Sequence, residues 1–389
     1  MTTETDVARL CASAYVSPTR VACLRTSLSH DLDWQAVLAE ANRQCISPVV
    51  AHVLLLHTSG LLPEEVTTIL NDKVRSITRQ NLIWLQEWRQ LLQLLDEAAI
   101  PAISFKGPAL ALTAYGDLTL REFHDLDLLV HPADVVRAKD ILQKTGYQLW
   151  TPVLGDSELA LLRSNNRQLR FTHPVRGTTV DLHWGLLHEM FSFQLLLDDV
   201  FASAKLERRD EATFLALSPE HSLLYLCAHG TKNCWAHLSE LCDIASQVHG
   251  NAGLNWEECV RLAESSGCDL LLKHALLLAE RVLRIELSEA AKQYCYDDED
   301  AIALSKIAES FLFPDARTQP GHWQTLQYHL AFAKTQRDRA RFILSRVFAP
   351  AEPDWDHIRL PRQLFFLYYL IRPLRFLQEQ TARLARSRR

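Results

Sequence analysis

The sequence predicts an α+β fold, a small mixed sheet embedded between N- and C-terminal helical regions. Apolar residues recur three and four apart through the first hundred positions. Short β-type runs broken by glycine and proline follow between Pro101 and Trp184. Helical spacing then returns from Ser218 onward. The 389 residues divide accordingly into a helical region 1–97, an α/β core 98–215 and a helical region 216–389, because a single hydrophobic core stops growing near ~250–300 residues.

In the first region, Trp34–Ala41 and Leu82–Trp88 carry one apolar stripe each. Leu62-Pro63-Glu64-Glu65 starts a long helix reaching about Ala98, with its acids at the positive end of the helix dipole. Ala102–Phe105 reads as a strand ending at Lys106-Gly107, and Pro108 opens a short helix. His124–Val130 is a second strand. Pro132 begins a helix running to Lys144 or Thr145, stopped by Gly146, and Tyr147–Trp150 is a third strand. Gln168–Thr172 and Thr178–Trp184 flank Pro174–Gly177 as a β-hairpin. Ser218-Pro219-Glu220 is a helix N-terminus, and 251–255 and 314–321 are loops. No fixed-period repeat is present.

Composition excludes several classes. With 48% hydrophobic and 23% charged residues the chain should fold, and a formal charge of −6 disfavours bulk nucleic-acid binding. The N-terminus is acidic where a secretory signal would be basic and no apolar stretch follows it, so export is not expected, and the longest apolar run, Leu364–Ile371, is too short to span a bilayer. Nine cysteines without a CxxC pair read as reduced thiols, so a cytoplasmic location is expected.

The chemistry concentrates in Asp125-Leu126-Asp127. Residues two apart on a strand face the same way, so both carboxylates share one side of the sheet. The flanking Leu126, Leu128, Leu129 and Val130 make that strand a buried one, where paired carboxylates are costly without a cation. Asp181, on the second strand of the hairpin, is the third acid. Phosphoryl and nucleotidyl transfer rely on positioning and cationic neutralisation, and magnesium, with manganese as the alternative, prefers such oxygen ligands. Gly107 would let the backbone approach a triphosphate, Lys106 would add a point charge, and Arg121 would place a forked guanidinium on a phosphate.

Phe105-Lys106-Gly107, Tyr115, Arg121, Asp125–Val130, Gly146-Tyr147 and Val180–Trp184 together resemble the bacterial uncharacterised nucleotidyltransferase family of the polymerase-β-like superfamily, over roughly 94–243. The resemblance implies that Asp125, Asp127 and Asp181 hold metal and act catalytically on an NTP. Lys106-Gly107-Pro108 departs from the superfamily's usual Gly-Ser or Gly-Gly turn. His229-Gly230, with Lys232, Trp235, Leu238 and Asp243, resembles the family's accompanying helical region, which implies nucleotide contact for His229.

His183 and Trp184 read equally well as packing residues and are left out of the catalytic set. Cys227, His229, Cys234, His237 and Cys242 match no structural-zinc spacing. Leu364–Ile371 followed by Arg372, Arg375, Arg383, Arg386, Arg388 and Arg389 is read as a packed helix with a solvated tail, against peripheral membrane contact as the alternative. The expected reaction moves an NMP to a hydroxyl or phosphate of an unidentified acceptor, which could be a small molecule, sugar, peptide or protein. The rivals are a catalytically inactive nucleotide-binding or assembly module of a biosynthetic or membrane-associated complex, and a helical scaffold with ordinary surface aspartates.

Overall fold

The computed structural model describes residues 4–28, 32–150, 167–187, 193–209, 212–250, 253–313, 321–348, 358, 360 and 362–375. Among the described residues, seven strands form one mixed sheet: β1 Ala102–Ser104, β2 Leu126–Val130, β3 Gln148–Leu149, β4 Gln168–Thr172, β5 Thr179–His183, β6 Lys205–Arg209 and β7 Ala212–Ala216, in the order β3-β4-β5-β2-β1-β7-β6. β2 runs parallel to β5 and antiparallel to β1, while β4 and β5 form the expected hairpin.

Alternation along β2 divides its side chains between two cores. Leu126, Leu128 and Val130 join Val180 and Leu182 against the long helix Glu64–Glu97 and the helix Val135–Lys144. Trp88 of the long helix is fully buried there, and its indole N–H donates to Ser104 Oγ on β1 at 2.9 Å. On the opposite face, Ile103, Phe105 and Leu129 join an apolar cluster shared by the helices preceding Glu64 and those following Ser218. Helices from both ends of the described chain therefore enclose one side of the sheet.

Helix starts follow capping chemistry. Asp33 accepts from the Ala36 amide, and Ser218 from the His221 amide with Pro219 in the first turn. Three details differ from the sequence expectation. β2 begins at Leu126, one residue after Asp125, so Asp125 lies in the bend leading into the strand. β6 and β7 form a second hairpin that extends the sheet beyond β1, where no strand was foreseen. Lys205–Arg209 is mostly exposed and charge-rich, an edge-strand composition with little hydrophobic alternation to read. Finally, residues 368–375 are helical after a 3₁₀ turn Arg362–Leu367. Of that segment Tyr368 is buried, whereas Phe366, Tyr369, Leu370 and Leu374 are exposed. Arg383, Arg386, Arg388 and Arg389 lie outside the described residues, as does most of the 314–321 loop.

Candidate active site

β2 and β5 are parallel neighbours with Asp127 opposite Asp181 and Leu129 opposite His183. The pairing puts Asp127, Asp181 and His183 on one face, turned away from the long helix. One ligand atom from each of the three lies within 4.8 Å of the others, and all three residues are buried. Among the described residues this is the group with metal-ligand character. Asp125 reaches the same cavity from the bend before β2. All three predicted acids therefore converge, although the tightest cluster contains His183 in place of Asp125.

Each carboxylate has its own surroundings. His183 Nε2 lies 3.1 Å from Asp127 Oδ1, while Asp127 Oδ2 is buried with no hydrogen-bond partner and has Lys106 Nζ at 3.8 Å. Burial opposes ionisation of Asp127, but the Lys106 ammonium and the His183 hydrogen bond outweigh it and hold the carboxyl well below the usual range. Asp125 is pushed the other way, by burial and by the neighbouring Asp127 charge. Asp181 accepts two hydrogen bonds from Arg170, Nε to Oδ1 at 2.8 Å and Nη2 to Oδ2 at 2.6 Å, and Arg170 Nη2 stands 3.6 Å from Asp125 Oδ2.

Phe105 at the end of β1 meets the His183 ring edge-on at 5.0 Å and the Tyr225 ring at 4.9 Å, a packing that fixes the imidazole relative to Asp127. Burial alone would depress the Lys106 ammonium, yet Asp127 beside it more than compensates, with help from Tyr225 and Asp125, and raises it. Gly107 is buried with φ +50°, and a Cβ there would sit 3.1 Å from the Asp125 carbonyl oxygen. Its role is a close approach between the β1 turn and the bend carrying Asp125.

The helix Pro219–Lys232 supplies the opposite wall. Tyr225, Ala228, His229 and Lys232 line the cavity, which has a volume of about 180 Å³ and also includes Lys106, Gln168, Arg170 and the three acids. His229 stacks on Tyr225 with centroids 5.8 Å apart, and burial with the Lys106 and Lys232 charges depresses it well below the ordinary histidine range. Its Nε2 lies 3.2 Å from Asn233 Nδ2, so the ring accepts there. Gly230 is required by the next turn: a Cβ would lie 2.4 Å from the Trp235 ring.

Arg121 is placed differently from the sequence expectation. Its Nε and Nη2 donate to the two oxygens of Asp243 at 2.9 and 3.1 Å, and Tyr115 Oη donates to the same carboxylate at 2.6 Å. The guanidinium is thereby committed to a buried cross-link between the β2 approach and the helix Leu238–Gly250, and it does not line the cavity. Sequence reading passed over Arg170, although the hairpin contained the signal. A turn that pairs Thr172 with Thr179 must pair Arg170 with Asp181. Cys227 and Cys242 are buried thiols, and among the described residues neither belongs to a group with metal-ligand geometry.

A model of the uncharacterised nucleotidyltransferase family matches residues 30–284. The chain belongs to that family. The matched region of this nucleotidyltransferase-family chain contains the whole sheet, the three acids and the helix that carries His229 and Lys232. No curated protein matches the chain. Among the described residues, no helix is long and apolar enough to cross a membrane.

Proposed function

We propose that this chain is a metal-dependent nucleotidyltransferase that moves a nucleoside monophosphate from an NTP to a hydroxyl or phosphate acceptor and releases pyrophosphate. One observation carries the reading: a fully buried carboxylate oxygen, Asp127 Oδ2, has no hydrogen-bond partner in a residue that lines the cavity. The Lys106 ammonium, 3.8 Å away, offsets part of that buried charge but lies beyond hydrogen-bond reach of the oxygen, which keeps a lone pair open to a closer cation. Asp125, Asp127 and Asp181 are the residues that would hold the divalent ion, magnesium or manganese, with His183 orienting Asp127 or adding a nitrogen ligand. Such an ion supplies neutralisation of charge on the phosphate oxygens.

The rest of the chemistry falls to the chain itself. The acceptor oxygen bonds to the α-phosphorus, the bond to the bridging α–β oxygen breaks, and the acceptor proton passes to a carboxylate of the cluster, for which Asp181 is the candidate. Lys106 and Lys232, on opposite walls, balance charge on the triphosphate, and neutral His229 on its Tyr225 support offers a flat polar edge to the nucleotide. Gly107 acts by letting the turn close onto Asp125.

Radiolabelled ATP, GTP, CTP and UTP, each with Mg2+ or Mn2+ and a host extract as acceptor source, test the reading. Pyrophosphate release or label transfer is expected with wild type, and its loss in Asp127→Asn at unchanged circular dichroism assigns it to the cluster. A signal that survives Asp127→Asn would overturn it. The second reading, a nucleotide-binding module without turnover, is favoured by Arg170, which already occupies both oxygens of Asp181. It predicts NTP binding without pyrophosphate release.

A further inference from the structure

Arg170 sits on β4 directly across from Asp181, so the backbone register sets the root of its side chain on the metal-ligand face. Its guanidinium makes a fork-to-fork contact with Asp181 and also approaches Asp125, yet the side chain is 42% exposed and lines the cavity. Asp127 Oδ2, in the same cluster, is left without a hydrogen-bond partner. Two demands thus meet at Asp181. A divalent ion held by the acids would need an oxygen of Asp181, and both of those oxygens already accept from a guanidinium. A planar fork fits a phosphate as well as it fits a carboxylate.

Resting on the nucleotidyltransferase reading above, we infer that Arg170 is a triphosphate-binding residue which, without substrate, neutralises Asp181 and competes with the divalent ion for that carboxylate. The inference requires opposite signs on two affinities. Deleting the guanidinium removes a like charge from the cation site and a partner from the anion site. A purely structural arginine would weaken both.

The probes are Mn2+ alone, followed by electron paramagnetic resonance of the free ion, and a non-hydrolysable ATP analogue at saturating Mn2+, followed by calorimetry. In Arg170→Gln, Mn2+ should bind roughly tenfold more tightly and the analogue roughly tenfold more weakly, the scale expected for one charge next to a partly screened site. Arg170→Lys keeps the charge and loses the fork, so its Mn2+ affinity should stay near wild type while the analogue still binds more weakly. It also serves as the second variant if Arg170→Gln does not fold. Weakening of both ligands in either variant, or a Mn2+ affinity unmoved by Arg170→Gln, overturns the inference. If wild type itself binds no Mn2+, and Asp127→Asn changes nothing, the nucleotidyltransferase reading fails and this one falls with it. That result is distinct from a wild type that binds Mn2+ normally and an Arg170→Gln variant that matches it.

Discussion

Replacing Asp243 by Ala strands a buried cation. Arg121 is 15% exposed at its side chain and Asp243 7%, and the pair shares two hydrogen bonds of 2.9 and 3.1 Å plus the Tyr115 hydroxyl at 2.6 Å. Both charges are desolvated, and among the described residues they are satisfied by each other and by Tyr115. Removing the carboxylate leaves the guanidinium buried without a counter-ion, a change that costs about 3–5 kcal/mol. The loss should appear as a lower urea midpoint and melting temperature, read by tryptophan fluorescence and circular dichroism. The double variant Arg121→Met/Asp243→Leu removes both charges at similar volume and should recover most of the stability, because the desolvation penalty disappears with the attraction. A loss below about 1 kcal/mol in Asp243→Ala, the value for an exposed pair, would refute the reasoning. So would a double variant no more stable than the single one. The double variant also settles what Arg121 does. If the residue only positions, with Asn81 Nδ2 holding its carbonyl at 3.0 Å, the affinity for NTP should change little.

Two further outcomes follow from the same structure. Gly107→Ala should lower stability by about 1–2 kcal/mol, the penalty for a non-glycine residue in the left-handed region. Its pyrophosphate release should fall further than its stability, since the new Cβ presses on the Asp125 carbonyl 3.1 Å away. Measuring turnover well below the melting transition separates the two effects. Glu240 is buried, with Asn233 Nδ2 donating to its Oε1 at 2.7 Å and Oε2 unpartnered, and burial raises it to about 7 from 4.5. The folded state thus keeps a proton that the unfolded state releases. The stabilisation is complete below pH 4.5, declines as pH rises toward about 7 and is gone above it. Glu240→Gln should flatten that slope and gain on the order of 3 kcal/mol at pH 8, checked by melting temperature across pH 4–8.

The local elements were legible because each rests on chemistry between near neighbours in the chain. Ser218 caps its helix through an amide three residues on, Pro63 and Glu64 open the long helix, and the 173–178 turn folds β4 onto β5. Asp127 and Asp181 could be singled out because carboxylates within apolar strands are rare and expensive, and Asp125 because it stands two residues before Asp127. Their convergence depended on an alignment no local pattern encodes: β2 and β5, some fifty residues apart, lie parallel in a register that sets Asp127 against Asp181.

Periodicity, backbone sterics and the cost of burying charge were enough to assign the α+β class, the strands that carry Asp127 and Asp181, and the glycine at the turn. Tertiary structure alone decided how each charged side chain is spent. Arg121, four residues from Asp125 in sequence, goes to Asp243 on a distant helix, while His183, readable as a packing residue, lands on Asp127. The physical reason is that a buried charge takes the nearest compensating partner in space, and nearness between strand and helix is set by the packing of two apolar cores, not by separation along the chain.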